Sequence, residues 1–197
     1  MAERTRKLFP FVHKSRALVY DGGMNERTDP LSPHPLSPET LRADPFLHLA
    51  GTLVPGGHVL PVRVYYEDTD FSGIVYHANY LKFMERARSD HLRLIGVVQG
   101  ELFGQALAEA PGFAFVVRSM ELQFVRPARI DDVLEVHTSP VEVAGASITL
   151  VQKVKRGDDL IVEGKVKVAF VAQGRARRIP DALRAAMKLA LDEAPPL

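Results

Sequence analysis

The segment from Glu67 to Tyr80, EDTDFSGIVYHANY, holds the densest group of chemically able side chains in the chain. Asp68 and Asp70 stand two residues apart in a turn-rich stretch, and Gly73 permits a positive φ or a close backbone approach there. A helical pattern begins immediately afterwards, and a helix start offers unpaired N–H groups that stabilise negative charge. Together these features outline an acyl-transfer site. A carboxylate can attack a carbonyl or activate water, while amides at a helix N-terminus bind the oxyanion of the transition state.

Plainer readings of the same residues stand beside that one. Asp68-Thr69-Asp70-Phe71-Ser72-Gly73 begins like a calcium loop, but the twelfth position is Asn79 where a bidentate Glu is needed, and a strand precedes it. Either aspartate suits an ordinary turn or cap. His77 suits a capping or half-buried structural role, and Tyr80 falls on the apolar stripe of the helix. Glu85 lies two turns beyond His77, roughly 12 Å along the axis, too far to share a reacting atom with the helix start.

The elements that must position this segment are legible on both sides. HVLPVRVYY alternates Val62, Val64 and Tyr66 against Arg63 and Tyr65, the period of a half-buried strand. After the turn, Tyr80, Phe83, Met84, Ala87, His91, Leu94 and Ile95 recur at steps of three and four. Lys82, Glu85, Arg86, Ser89 and Arg93 take the other side, and Gly96 sits at a plausible stop. Residues 97–111 leave room for a short second helix. Four β-rich runs follow: GFAFVVRSMELQFV, DVLEVHTSPVEV, SITLVQKVKR and LIVEGKVKVAFV. Their separators RPARID, AGA and GDD suit tight links between antiparallel neighbours. IPDALRAAMKLALDE closes the pattern as a helix with Pro180 at its start. The expected layout is α+β, with five antiparallel strands, one long helix against them and a C-terminal helix.

Composition excludes other classes. The chain has 197 residues, 46% apolar and 25% charged, which fits one folded domain and a tail. Lys and Arg number 25 against 24 Asp and Glu, so no basic excess is available for nucleic-acid phosphates. Cysteine is absent, which removes disulfides, thiolate zinc sites and a thiol nucleophile and fits a reducing cytoplasm. The charge-free run from Pro45 to Val62 contains three prolines, three glycines and two histidines, so direct membrane insertion is not expected. The first residues show no secretory signal. Seven of the 14 prolines lie within residues 1–58, so these read as a Pro-rich, mobile extension and residues 59–197 as the folded domain.

The blocks YYEDTDFSGIVYHANYLKFMERAR and GFAFVVRSMELQFVRPARIDDVLEV, in register with each other, closely resemble the acyl-CoA thioesterases associated with the Tol-Pal system. Those are relatives of 4-hydroxybenzoyl-CoA thioesterase with the hotdog fold, and the resemblance covers about residues 59–185. It implies hydrolysis of an acyl-CoA, with acyl carrier protein thioesters also open, on a homodimer or homotetramer whose subunits share sites. It places the catalytic aspartate at Asp70, the following histidine at His77 and the carbonyl-polarising amide near Tyr76 and His77, with Gly73 and Tyr80 shaping the site. CoA would lie near basic side chains, for which Arg126 and Arg129, or Arg175, Arg177 and Arg178, are candidates. Neither a metal nor a further cofactor is implied. Two rivals remain: a dehydratase of the same fold, whose Gly- and Pro-rich histidine loop HANY does not resemble, and a non-catalytic module binding an acyl thioester or an envelope partner.

Overall fold

The computed structural model describes residues 45–98, 104–105, 108, 110, 113–172 and 174–192. A 3₁₀ turn, Leu47–Ala50, leads into β1 (Thr52–Val54) and β2 (Gly57–Arg63); a second 3₁₀ turn, Tyr66–Asp68, precedes helix α1 (His77–Val98). Then come β3 (Ala114–Phe124), β4 (Val133–Val143), β5 (Ser147–Arg156), β6 (Asp159–Ala172), the two-residue β7 (Arg175–Ala176) and helix α2 (Asp181–Asp192). The five long strands are the five expected ones, and the sheet is antiparallel throughout, in the order β1-β2-β4-β5-β6-β3 with β7 beside β6. Among the described residues no helix is long and apolar enough to cross a membrane.

Alternation fixes which face of the sheet meets α1. In β4 the side chains of Leu134, Val136 and Thr138 point inward and are fully buried, while Val133 and Glu135 face out. On the helix, Tyr80, Phe83, Met84, Ala87, His91, Leu94 and Ile95 are all buried, and Lys82, Glu85, Arg86 and Ser89 are exposed. Each large apolar side chain so enclosed stabilises the fold by roughly 1.5–3 kcal/mol. Contact between the layers is close at Gly164 of β6, where a Cβ would lie 2.8 Å from Leu122 Cδ2 and 3.2 Å from Met84 Cε. One apolar cluster joins Tyr80, Phe83 and Met84 to Leu134 and Val154; a second joins Ile95 and Phe170 to Leu183 of α2.

The structure corrects three local readings. Helix α1 runs past Gly96 to Val98. Gly96 is buried, and a mid-helix glycine costs only about 1 kcal/mol relative to alanine, which packing readily outweighs. RPARID is not a hairpin. β3 pairs with β6 and β4 with β2 and β5, so this segment crosses between non-neighbours; Val125 and Arg126 N–H bond to Ile161 O, and Asp131 N–H to Val64 O. Turn-forming residues mark a change of direction but not which strand comes next. Finally, the boundary expected at residue 58 falls inside β2, because Thr52 pairs with Val59 and His58 is enclosed in the core. The charge-free run that argues against a membrane span is here a 3₁₀ turn followed by a strand hairpin. Most of residues 97–111, where a short helix is conceivable, and residues 1–44 lie outside the described residues.

Candidate functional site

Between β2 and α1 the chain makes a compact turn held by its own backbone. Asp70 N–H bonds to Ile74 O and Gly73 N–H to Asp70 O, both at 2.9 Å, and Gly73 takes a φ of +71°. Nothing lies within 4 Å of a Cβ built on Gly73, so the glycine is required by conformation and not by space. Thr69 bridges to Val75, and Ile74 bridges to Arg129 of the crossover. Val75 N–H bonds to Ala128 O, so the turn and the RPARID segment form one unit.

Asp68 and Asp70 have different fates in it. Asp68 is buried; its Oδ2 accepts from Tyr65 N–H, and its carbonyl accepts from Tyr76 N–H and from the Asn79 amide, all at 2.9 Å. Asp70 is exposed, and its Oδ1 accepts the Ser72 N–H at 2.8 Å, which leaves Oδ2 without a hydrogen-bond partner among the described residues. His77 opens α1 with an exposed ring, 4.4 Å from the Tyr76 ring centroid and edge-on to Phe124 at 6.4 Å. The N–H groups of His77 and Ala78 have no hydrogen-bond partner among the described residues, as the first turn of a helix requires. A free carboxylate oxygen and two free helix amides therefore stand on one exposed turn.

Tyr80 lies deeper, 3% exposed, with its hydroxyl oxygen accepting the Ala128 N–H at 3.1 Å and its ring against Phe83 and Phe124. Burial raises its pKa above the ordinary phenol value, although the Ala128 bond opposes this. Its part is to anchor the crossover under the turn. Asn79, which enters the sequence reading only as a misfit in a calcium loop, is the other anchor; a short polar side chain in the first turn of a helix was the one signal for it.

The basic candidates separate. Arg126 is ion-paired to Asp159 at 2.8 Å. Arg129 is exposed, and its backbone N–H is held by Asp132 Oδ2 at 2.8 Å beside the turn. Burial would raise the Asp132 pKa, but the Arg129 N–H and the Arg156 guanidinium outweigh it and hold this carboxyl below the usual range. Arg178 pairs with Asp181, and Arg175 and Arg177 are exposed, at β7 or just beyond it. Neither of two cavities, one beside the middle of α1 and one between β2 and Asp90, includes Asp70 or His77 among its walls.

Comparison with known proteins agrees with this architecture. The thioesterase superfamily model matches residues 72–163, a span that opens two residues beyond Asp70. The acyl-CoA thioesterase YbgC of Haemophilus influenzae is 41% identical over 127 residues, 64% of this chain and 90% of that protein. The acyl-CoA thioester hydrolase YbgC of Escherichia coli is 40% identical over 131 residues, 65% and 93% of the two chains. A solved structure, a probable thioesterase from Bartonella henselae, shares 40% identity at a TM-score of 0.54, with 64% of this chain and 99% of that one covered. Strand order, central helix and these alignments coincide, and the chain belongs to the hotdog thioesterase superfamily.

Proposed function

We propose that the turn from Asp70 to His77 is the reaction centre of an acyl-CoA thioesterase. The chain hydrolyses an acyl-CoA to a free carboxylic acid and CoA, as the names of its relatives state of them. The observation that carries the residue assignment is the pairing of a free Asp70 oxygen with the unpaired amides of His77 and Ala78.

The thioester carbonyl oxygen accepts from those amides, and the helix N-terminus stabilises the charge that collects there. Asp70 then serves by one of two routes. Its carboxylate attacks the carbonyl carbon, the C–S bond breaks, CoA leaves as thiolate, and water hydrolyses the mixed anhydride. Alternatively, Asp70 takes a proton from water as that water attacks, and the same C–S bond breaks. The Ser72 N–H fixes the carboxylate for either route. His77, steadied by Tyr76 and Phe124, orients the thioester or moves a proton. Arg129, beside the turn, faces the CoA phosphates.

Asp70→Asn should lower kcat by at least ~10² on the best substrate of an acyl-CoA chain-length panel while circular dichroism stays unchanged. Near wild-type turnover by the folded variant defeats the assignment. A non-catalytic binding module predicts instead that no acyl-CoA is turned over by the wild type although acyl-CoA binds. Rapid quenching followed by mass spectrometry separates the routes, since only the first leaves an acyl group on Asp70.

The family resemblance supports a finer setting: a cytoplasmic enzyme working beside the Tol-Pal machinery, on acyl-CoA or acyl carrier protein thioesters. The edge of β3, unpaired among the described residues, supports a homodimer or a homotetramer built from one, because such an edge invites a second copy.

A further inference from the structure

A carboxylate that must meet a carbonyl carbon or a water in one geometry depends on whatever fixes its backbone. Asp70 N–H bonds to Ile74 O, and Ile74 bridges to Arg129 of the crossover, so part of the support for the turn lies outside it. Val75 N–H, bonded to Ala128 O at 2.9 Å, is a second link between the same two segments. Whatever fixes the crossover therefore fixes Asp70.

One carboxylate holds that segment. Asp132 Oδ2 accepts the Arg129 N–H and Arg156 Nη1, both at 2.8 Å, and the Asp132 side chain is only 22% exposed. Arg156 Nη2 lies 3.6 Å from Asp159 Oδ2, and Asp159 Oδ1 accepts Arg126 Nη1 at 2.8 Å, so both ends of residues 126–132 are tied to the β5–β6 turn. The outer pair, Arg126 and Asp159, is half exposed and contributes little. The inner bond joins a carboxylate to a backbone amide, and such charge-assisted bonds are roughly twice as strong as neutral ones. The adjoining backbone is strained as well: Asp131 takes a φ of +68°, a left-handed value uncommon for a residue with a Cβ. It is kept there by Asp131 N–H on Val64 O at 3.0 Å and Val64 N–H on Asp132 O at 2.9 Å.

We infer that Asp132 is a positioning residue for the reaction at Asp70: gripped by Arg156, its carboxylate fixes the Arg129 amide, through it the bridge to Ile74, and so the direction of the Asp70 side chain. Asp132 acts through Asp70 and makes no contact of its own with the thioester. Its part in turnover rests on the thioesterase reading; the mechanical link from Asp132 to the turn does not.

Steady-state kinetics on the best acyl-CoA and amide hydrogen exchange by NMR, both on the full chain, test this. Asp132→Asn removes the charge that engages Arg156, and Arg156→Met removes the cation. Each should lower kcat ~10-fold while KM moves less than ~3-fold, since a small misplacement of a reacting group costs a factor of that order or more. Either variant alone suffices should the other not fold. Asp159→Asn breaks the outer pairs but not the bond to Arg129, and should stay within ~2-fold of wild-type kcat. In an Asp70→Asn background Asp132→Asn should lower kcat no further, because the group it positions is already gone; a general loss of structure would cost the same in both backgrounds. In either variant at the inner pair the Asp70 and Val75 amides should exchange ~10-fold faster, while core amides of β5, which report global unfolding, change less. Wild-type kcat in folded Asp132→Asn or Arg156→Met, an equal loss in Asp159→Asn, an equal further loss on top of Asp70→Asn, or unaltered exchange in the turn would each overturn the inference. Faster exchange at Asp70 in Asp132→Asn, in a chain whose wild type turns over no acyl-CoA, would uphold the link and sink the thioesterase reading alone.

Discussion

Two aspartates in one turn divide the labour. The carboxylate of Asp68 is spent on Tyr65 N–H and its carbonyl on Tyr76 and Asn79, so it fixes the start of α1. Asp70 gives one oxygen to Ser72 N–H and keeps the other. Residue type and spacing alone leave the two equal, and the family resemblance favours the second. Tyr80 shows the same separation of roles. Its hydroxyl is the acceptor for the Ala128 N–H, so Tyr80→Phe strands a buried donor. A loss of about 1–3 kcal/mol is expected in urea unfolding, with kcat falling too because the crossover under Asp70 loosens. Wild-type stability in that variant would show that the Ala128 bond contributes nothing.

At the scale of elements, the link between the β1–β2 hairpin and α1 is a stacked pair, His58 and His91, with ring centroids 5.5 Å apart and planes within 5°. His58 Nε2 lies 2.6 Å from Ala50 O; a carbonyl only accepts, so this nitrogen carries the proton. His58 Nδ1 and His91 Nε2 are buried without hydrogen-bond partners among the described residues. Burial and then the His58 charge push the His91 pKa down to about 4, and burial also lowers that of His58 against the Ala50 bond and Asp90. Both folded values lie below the ordinary 6.5, so the unfolded chain binds the extra protons. Stability is untouched above about pH 6.5, falls as the pH drops from there towards 4, and then levels off. For His91, which is 4% exposed, the fall is on the order of 3 kcal/mol. His91→Leu should remove most of it and cost little at pH 7, where the buried Nε2 it deletes has no partner among the described residues. Urea midpoints measured between pH 7 and 4.5 check this; an equal acid loss in variant and wild type would acquit the pair.

Over the whole molecule, β3 sets the outer limit of the sheet. Among the described residues it pairs with β6 on one side only, and Val116, Val117 and Phe124 along it are about half exposed. Such an edge is a template for another strand. Light scattering should therefore return at least twice the mass of one chain, and a single-chain mass would remove the proposed pairing.

Periodicity determined much of this protein. The inward face of α1 was legible residue by residue from Tyr80 to Ile95, because a helix returns every 3.6 residues to the same side and burial follows. The five long strands, the terminal helix after Pro180, and the turn holding Asp70 were legible for the same local reason. Strand neighbours were not. RPARID has the composition of a hairpin yet crosses from β3 to β4, since pairing is chosen by contacts distant in sequence. Nor did any pattern mark the residues before Val59 as part of the sheet or place Asn79 under Asp68. Those features depend on which surfaces meet once the sheet has closed over the helix, and only the folded backbone decides that.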